Sequence, residues 1–490
     1  MTTDQPAARC AHFVLVPLMA QGHTIPIVDM AHFLARHGAH VTFLTTPLNA
    51  LRIDAIIQRA GASGLAIDFV SLHFPCAEAG LPLGCENIDA LPSPSRDYLP
   101  NFLRACDMLR APFTQHLRRH PLPPSCIVSD AAQPWTGEMA RDLGVPRLIF
   151  HGLGGFTILA RQILHQEDVY VRVTDESEIL DVPGFPHPLR VPMAKTPGTF
   201  WGPKLQHLRL RSMEEEAKAD GVVVNTFDDI EAVYVESYQK MIGKRVWTVG
   251  PLCLCNRDAA HMTARGNKAA VDENQYLRWL DSMAPTSVIY VSFGSLVTAG
   301  VEQIVEIGMA LEGAGFPFVW AIKAGDQSAI QVDRWLAESG FEERTRGRGL
   351  VIRGWAPQMM ILSHPAAGGF LTHCGWNSTL EGICSGLPMA TWPHFGDQHL
   401  NQKVVVEVLR IGVAVGGGSA NWGDENSGTV VRREKIEKAV RELMGGGEEA
   451  EGRRERAREL GEKAKRAMEE GGSSYQNLSM LIQQFPAEEE

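Results

Sequence analysis

Two α/β domains with parallel sheets, each doubly wound and facing the other across a cleft, are the fold this sequence predicts, and three observations carry the prediction. At 490 residues the chain exceeds what a single core accommodates, and each half can bury a sizeable apolar interior. Short apolar runs of strand character alternate with helical periodicity in the N-terminal half, and the alternation starts afresh in the C-terminal half. Between the two series, Asn256 to Asn274 is polar and follows neither period.

Taken in order, His12 to Pro17 reads as a strand. Pro26 then opens a helix with Ile27, Met30, Ala31 and Leu34 on one face, and Gly38 closes it. Val41 to Leu44 completes a βαβ unit, and strands continue at Cys126–Ser129, Arg147–Phe150 and Gly221–Val224. After Val249-Gly250-Pro251 the pattern lapses. Ser287 to Phe293 begins the second series, followed by Pro317–Ile322, Gly349–Ile352, Gly368–Thr372, Met389–Trp392 and Ile411–Val415. The expected divisions are an N-terminal domain over 1–253, a linker over 254–274, a C-terminal domain over 275–470 and a terminal segment over 471–490. Charges between Arg432 and Glu470 read as a solvated helical face, and Gly416-Gly417-Gly418 and Gly445-Gly446-Gly447 as flexible loops.

Composition excludes several classes. A net charge of −11 with both signs interspersed disfavours nucleic acid and anionic lipid, and the densest basic cluster, Arg453-Arg454-Glu455-Arg456, is broken by a glutamate. Nine cysteines, an odd number without zinc or redox spacing, imply reduced thiols and a cytoplasmic setting. Met1 to Arg9 has no basic leader, and no apolar run reaches the ~18 residues of a membrane span. A monomer without stable membrane insertion is the expectation.

The chemistry concentrates between Trp355 and Gln398. Trp355 and Ala356 lead the segment; the indole offers a flat face for a base, and Gln358 can reach a base carbonyl or a ribose hydroxyl. A buried strand, Gly368–Thr372, runs into His373-Cys374-Gly375-Trp376-Asn377-Ser378, a turn that opens a helix. Free N–H groups at a helix start, with the helix dipole behind them, form an anion site, and His373, Asn377 and Ser378 add donors for a diphosphate. Glu381, about one turn further on, suits two vicinal ribose hydroxyls. Asp397 and Gln398 suit a hexose edge. Each residue has an ordinary alternative as core aromatic, helix cap or solvated carboxylate. Together, in ligand order, they point to a nucleotide sugar.

This window resembles the signature box of plant secondary-product glycosyltransferases, the family 1 UDP-sugar transferases. The likeness extends along the chain through Phe74-Pro75-Cys76, Gly80-Leu81-Pro82, Gly84-Cys85-Glu86-Asn87 and Phe200-Trp201-Gly202-Pro203-Lys204, which are similar to segments of the branch acting on flavonoids, steroids and triterpenoids. The resemblance implies the GT-B fold, two facing Rossmann-like domains, with the last helix crossing back onto the N-terminal one. It implies a UDP-sugar donor, a small-molecule acceptor and no separate cofactor.

His23, in Gln21-Gly22-His23 after the first strand, is the candidate base, and Asp130, ending the strand Cys126–Ser129, is its orienting carboxylate. The family's catalytic His and Asp match both positions. Ser295 resembles the family's diphosphate-contacting residue, and Gln398 the residue that goes with glucose, so UDP-glucose is expected. No Asp-x-Asp pair exists to bridge a metal, so none is expected. One departure concerns Gly152-Leu153-Gly154-Gly155, where related enzymes carry a hydroxyl that contacts the sugar. Met19, Leu83, Trp135, Phe156, Phe200 and Trp201 are candidate apolar walls for the acceptor, each equally able to be core.

Three rival readings fit the sequence less well. Gly382-Ile383-Cys384-Ser385-Gly386 mimics a nucleophile elbow but lies within a helix, where Cys384 reads as buried and structural. A dinucleotide oxidoreductase lacks its Gly-x-Gly-x-x-Gly after the first strand. A sugar-nucleotide-binding protein without turnover would need neither His23 nor Asp130.

Overall fold

The computed structural model describes residues 10–92, 94–202, 205–256, 258, 262–263, 265–297, 299–323, 328–416 and 429–487, without the side chains of Phe200, Trp201, Glu273 and Asn274. Its N-terminal strands are β1 (His12–Val16), β2 (His40–Thr45), β3 (Ile67–Ser71), β4 (Cys126–Asp130), β5 (Arg147–His151), β6 (Ile179–Asp181), β7 (Arg190–Pro192), β8 (Gly221–Val224) and β9 (Val246–Thr248). Seven form one sheet in the order β3-β2-β1-β4-β5-β8-β9, every pair parallel, while β6 and β7 make a separate antiparallel hairpin. In the second half, β10 (Val288–Ser292), β11 (Phe318–Ile322), β12 (Gly349–Arg353), β13 (Ala367–Thr372), β14 (Met389–Thr391) and β15 (Gly412–Ala414) form a six-stranded parallel sheet, ordered β12-β11-β10-β13-β14-β15. The architecture is the expected pair of doubly wound domains.

Helices on both faces bury the strands from either side, which is why the sequence shows continuous apolar runs rather than alternation. All five residues of β1, β4, β5 and β10 are buried. His12 is tolerated within such a run because its ring nitrogens meet the Leu122 carbonyl and the Thr42 hydroxyl, both at 2.8 Å. Strand order reverses between β1 and β4 in one sheet and between β10 and β13 in the other. At such a reversal the following connections diverge to opposite faces and leave a crevice beyond the carboxyl ends. Val16 pairs with Ser129 and Ser292 with Thr372, so the chain beyond each pair opens at its crevice.

One local reading is corrected. The first helix runs Gln21–Arg36, starting five residues before Pro26. Proline is accepted there because the helix forgoes one bond, and the Gly22 carbonyl, which residue 26 would have engaged, accepts from Asn377 Nδ2 at 2.6 Å across the cleft. The segment expected to be the linker contributes Arg265, which is buried between Asp29 of that first helix and Glu381 of the opposite domain.

Further ties join the halves. Trp376 Nε1 donates to the Asn225 carbonyl at 2.8 Å, and Thr157 to Asn401 Oδ1 at 3.1 Å. The helix Ser473–Gln484 packs on β9, with Asn477 Nδ2 2.7 Å from Thr248 Oγ1 and Leu478 and Leu481 buried. No helix among the described residues is long and apolar enough to cross a membrane.

Candidate active site

A cavity of about 380 Å³ opens between the two crevices, and every expected catalytic and nucleotide-sugar residue borders it. On the N-terminal side, His23 sits in the first turn of the helix after β1, and Asp130 ends the neighbouring β4. Adjacent strands thereby bring residues 107 positions apart to 2.6 Å, His23 Nδ1 to Asp130 Oδ2. The second carboxylate oxygen accepts from the Ala132 N–H at 2.8 Å, which fixes the carboxylate plane. The His23 side chain keeps 38% of its surface exposed, against 3% for Asp130, and Nε2 has no partner among the described residues. Burial disfavours the imidazolium, but the Asp130 charge and hydrogen bond, with Asp397 across the cavity, outweigh it and raise the pKa from its ordinary 6.5.

On the C-terminal side, the helix Trp376–Cys384 points its first turn at the cavity from the end of β13. The turn is tight: Cys374 has φ 64°, and its N–H donates to Thr372 Oγ1 at 3.3 Å. Gly294 and Gly375 flank the His373 ring, and a Cβ on either would lie 2.6 or 2.5 Å from it. His373 Nδ1 is buried without a hydrogen bond, and burial lowers the pKa to about 4.

Several expected donors are already engaged. Asn377 donates across the cleft to Gly22, and the Ser378 hydroxyl accepts from Gln358 Nε2 at 2.9 Å. Gln358 also donates to Glu381 Oε2 at 2.6 Å, while Arg265 donates to Oε1. Both Glu381 oxygens are thus held from behind, each with a further lone pair for a ribose hydroxyl. Trp355 borders the cavity with its other side against Gly266, where a Cβ would lie 2.2 Å from the ring. Gln398 Oε1 caps the preceding loop by accepting from the N–H groups of His394 at 2.8 Å and Phe395 at 3.2 Å, and the residue borders the cavity. Burial raises Asp397 to about 6, against the opposing hydrogen bond from Asn401.

Arg265 escaped sequence reading because its stretch carries no periodicity, and only the bracketing acids Asp29 and Glu381, distant in sequence, reveal its purpose. Arg265→Met leaves two buried carboxylates without their shared counter-charge, a loss on the order of 3–5 kcal/mol. A lower thermal midpoint together with weaker UDP binding by calorimetry is expected. Unchanged values of both would detach Arg265 from the donor site.

Met19, Leu83, Trp135 and Phe156, four of the six expected acceptor walls, do not border this cavity. Met19, Trp135 and Phe156 are buried in the core, Trp135 Nε1 donating to Gln133 Oε1 at 2.7 Å, and Leu83 is 88% exposed away from the cavity. The side chains of Phe200 and Trp201 lie outside the described residues. The apolar lining comes instead from Ala132, Leu153, Pro197, Met213, Leu296 and Phe395. The glycine run after His151 has a steric cause: a Cβ at Gly154 would meet the Trp376 ring at 2.9 Å and one at Gly155 would meet Val235 at 2.7 Å, whereas Gly152 faces open space. Cys384 is buried at a helix end, 3.6 Å from Cys253 Sγ, and burial pushes its thiol pKa well up.

A family model described as UDP-glucoronosyl and UDP-glucosyl transferase matches residues 250–418. The chain is 45% identical to UDP-glycosyltransferase 73D1 of Arabidopsis thaliana, covering 97% of each, and 44% identical to UDP-glycosyltransferase 73E1 of Stevia rebaudiana, covering 96% of this chain and 95% of that one. Among solved structures, Glycyrrhiza uralensis UGT73P12, crystallised with glycyrrhetinic acid 3-O-monoglucuronide, superposes with a TM-score of 0.87 at 35% identity, covering 97% of this chain and 96% of that one. Arabidopsis thaliana UGT89C1 with UDP-L-rhamnose gives 0.76 at 28% identity, covering 97% and 99%. With cavity, strand order and full-length likeness in agreement, this chain belongs to the plant UDP-glycosyltransferases and has the GT-B fold.

Proposed function

We propose that the chain transfers glucose from UDP-glucose to a hydroxyl of a small lipophilic acceptor, with inversion and without a metal. The observation that supports this most is the 2.6 Å His23–Asp130 pair, whose open Nε2 faces the nucleotide-sugar wall inside one cavity. Nε2 takes the acceptor proton as the acceptor oxygen bonds to the anomeric carbon. The bond to the diphosphate breaks on the opposite side, and UDP departs with the electron pair. Asp130 steadies the imidazolium as it forms. Ser295 and the free N–H groups of the Trp376–Cys384 helix meet the growing negative charge. Glu381 and Gln358 hold the ribose, Trp355 the base, and Asp397 with the Gln398 amide nitrogen the hexose. The relatives' names speak for UDP-sugar chemistry without naming the sugar.

Nine free cysteines and a net charge of −11 support a cytoplasmic monomer. The domain limits we propose are 1–253, 254–274, 275–470 and 471–490, with the second segment serving the donor site through Arg265. Assay of UDP-glucose, UDP-galactose and UDP-xylose, with a phenolic acceptor and a chelator present, tests the donor. Glucose transfer should lead, and Gln398→His should shift the ratio away from it; an unchanged ratio would free residue 398 from reading the sugar. Activity that disappears with the chelator would overturn the metal-free reading.

A further inference from the structure

Arg209 is buried on the cavity wall, 6% exposed, and it lacks what other buried arginines have. Arg265 pairs with Asp29 and Glu381, and Arg453 with Glu449. Arg147 is filled by Ser129 Oγ and the carbonyls of Glu215 and Gln133. Arg209 has no anionic partner among the described residues: its Nε donates to Gln206 Oε1 at 3.0 Å, its Nη1 to the Met213 thioether at 3.2 Å, its guanidinium lies 4.5 Å from the centre of the Tyr170 ring, and the neighbouring Arg161 cation disfavours its charge. Its Nη2 has no partner there. The nearby acid Glu216 is occupied by Arg161 at 2.7 Å, His151 at 2.8 Å and the Tyr238 hydroxyl at 2.9 Å.

A guanidinium cannot escape burial by losing its proton, and a thioether and a ring face are weak partners for it. Its burial therefore stands without a matching anion. One turn along the helix Gln206–Ala217, Ser212 also borders the cavity, and its hydroxyl has no partner among the described residues. Apolar Leu153, Pro197 and Met213 share that wall. The diphosphate elements lie on the opposite domain, so the demand for an anion is separate from theirs.

We propose that the preferred acceptor is an amphipathic hydroxy acid, its carboxylate held by Arg209 Nη2 and the Ser212 hydroxyl and its apolar body against Leu153, Pro197 and Met213, while a separate hydroxyl meets His23. This rests on the reading of the cavity as the acceptor site. It deepens that reading, since the lining elsewhere would admit any flat lipophile.

The experiment pairs acids with their methyl esters: lithocholic acid with methyl lithocholate, and ferulic acid with methyl ferulate, each assayed for hexose transfer and for binding to the UDP-loaded enzyme. In the unaltered protein one acid of the two pairs should be favoured over its ester by about tenfold or more in kcat/KM or affinity, as expected for a charge-assisted hydrogen bond. Arg209→Gln should collapse that ratio, and Ser212→Ala should reduce it in part. Equal use of acid and ester, or binding of neither acid, overturns the proposal; transfer to the esters would then still uphold the sugar-transfer reading, and its absence would sink both. Loss of UDP binding in Arg209→Gln assigns the arginine to the diphosphate. An Arg209 effect that appears only with UDP-glucuronate as donor assigns it to a sugar carboxylate. Either result overturns the acceptor proposal. Should Arg209→Gln fail to fold, the acid-to-ester ratios of the unaltered protein and of Ser212→Ala decide.

Discussion

His23→Ala will lower kcat for glycosyl transfer by about 10³-fold or more while leaving UDP affinity unchanged, because general-base assistance of this kind contributes ~10²–10⁴-fold and no other group is poised to replace it. The imidazole presents an unengaged nitrogen on the N-terminal side of the cavity, and the carboxylate behind it, Asp130, is only 3% exposed and stays tied to the Ala132 N–H. The substitution spares the backbone, so the Gly22 carbonyl still accepts from Asn377 and the nucleotide wall keeps its shape. Calorimetric titration with UDP and single-turnover transfer make the two measurements. Retained turnover with lost UDP affinity would reverse the assignment of the two walls.

Asp130→Asn should cost nearly as much, and it should leave a signature in the pH profile. His23 acts as a base only when neutral, so kcat/KM rises with pH through its raised pKa and levels above it. The Asp130 charge is the largest influence raising that pKa against burial. Without the charge the rising limb moves to lower pH, while the plateau falls by orders of magnitude through lost orientation and lost stabilisation of the imidazolium. Asp397, with burial holding it near 6, adds a second proton to the acid limb in both proteins. A plateau at the original height, or a limb that stays in place, would remove Asp130 from the mechanism.

Much of this was legible because buried parallel strands announce themselves. Runs such as Phe13-Val14-Leu15-Val16 and Ile289-Tyr290-Val291 have both faces covered and no need of polar alternation. β3, half-exposed at the sheet edge, and β9, three residues long, lack that contrast and went unseen. The residues we assign to the nucleotide sugar could be grouped for a related reason: all but Ser295 cluster within 44 positions around one strand-turn-helix unit, and they border one cavity. The acceptor wall draws on separate segments of the N-terminal domain and on the opposite domain, and Met19, Trp135 and Phe156 look the same in sequence whether they line a cavity or a core. Arg265 and Arg209 carry no local pattern at all. What sets them apart is the counter-charge that one has and the other lacks, and only the folded chain displays that.

The imino acid at position 26 has an effect beyond the helix it interrupts. By withholding a donor it frees the oxygen of residue 22, and the amide of Asn377 moors itself there, one residue before the base. Under the proposed mechanism, base and leaving-group cradle are thereby lashed to a common line before any ligand arrives. An ordinary amino acid at 26 would set two donors competing for one oxygen, and slack would enter the reaction path where the reacting atoms must meet most closely.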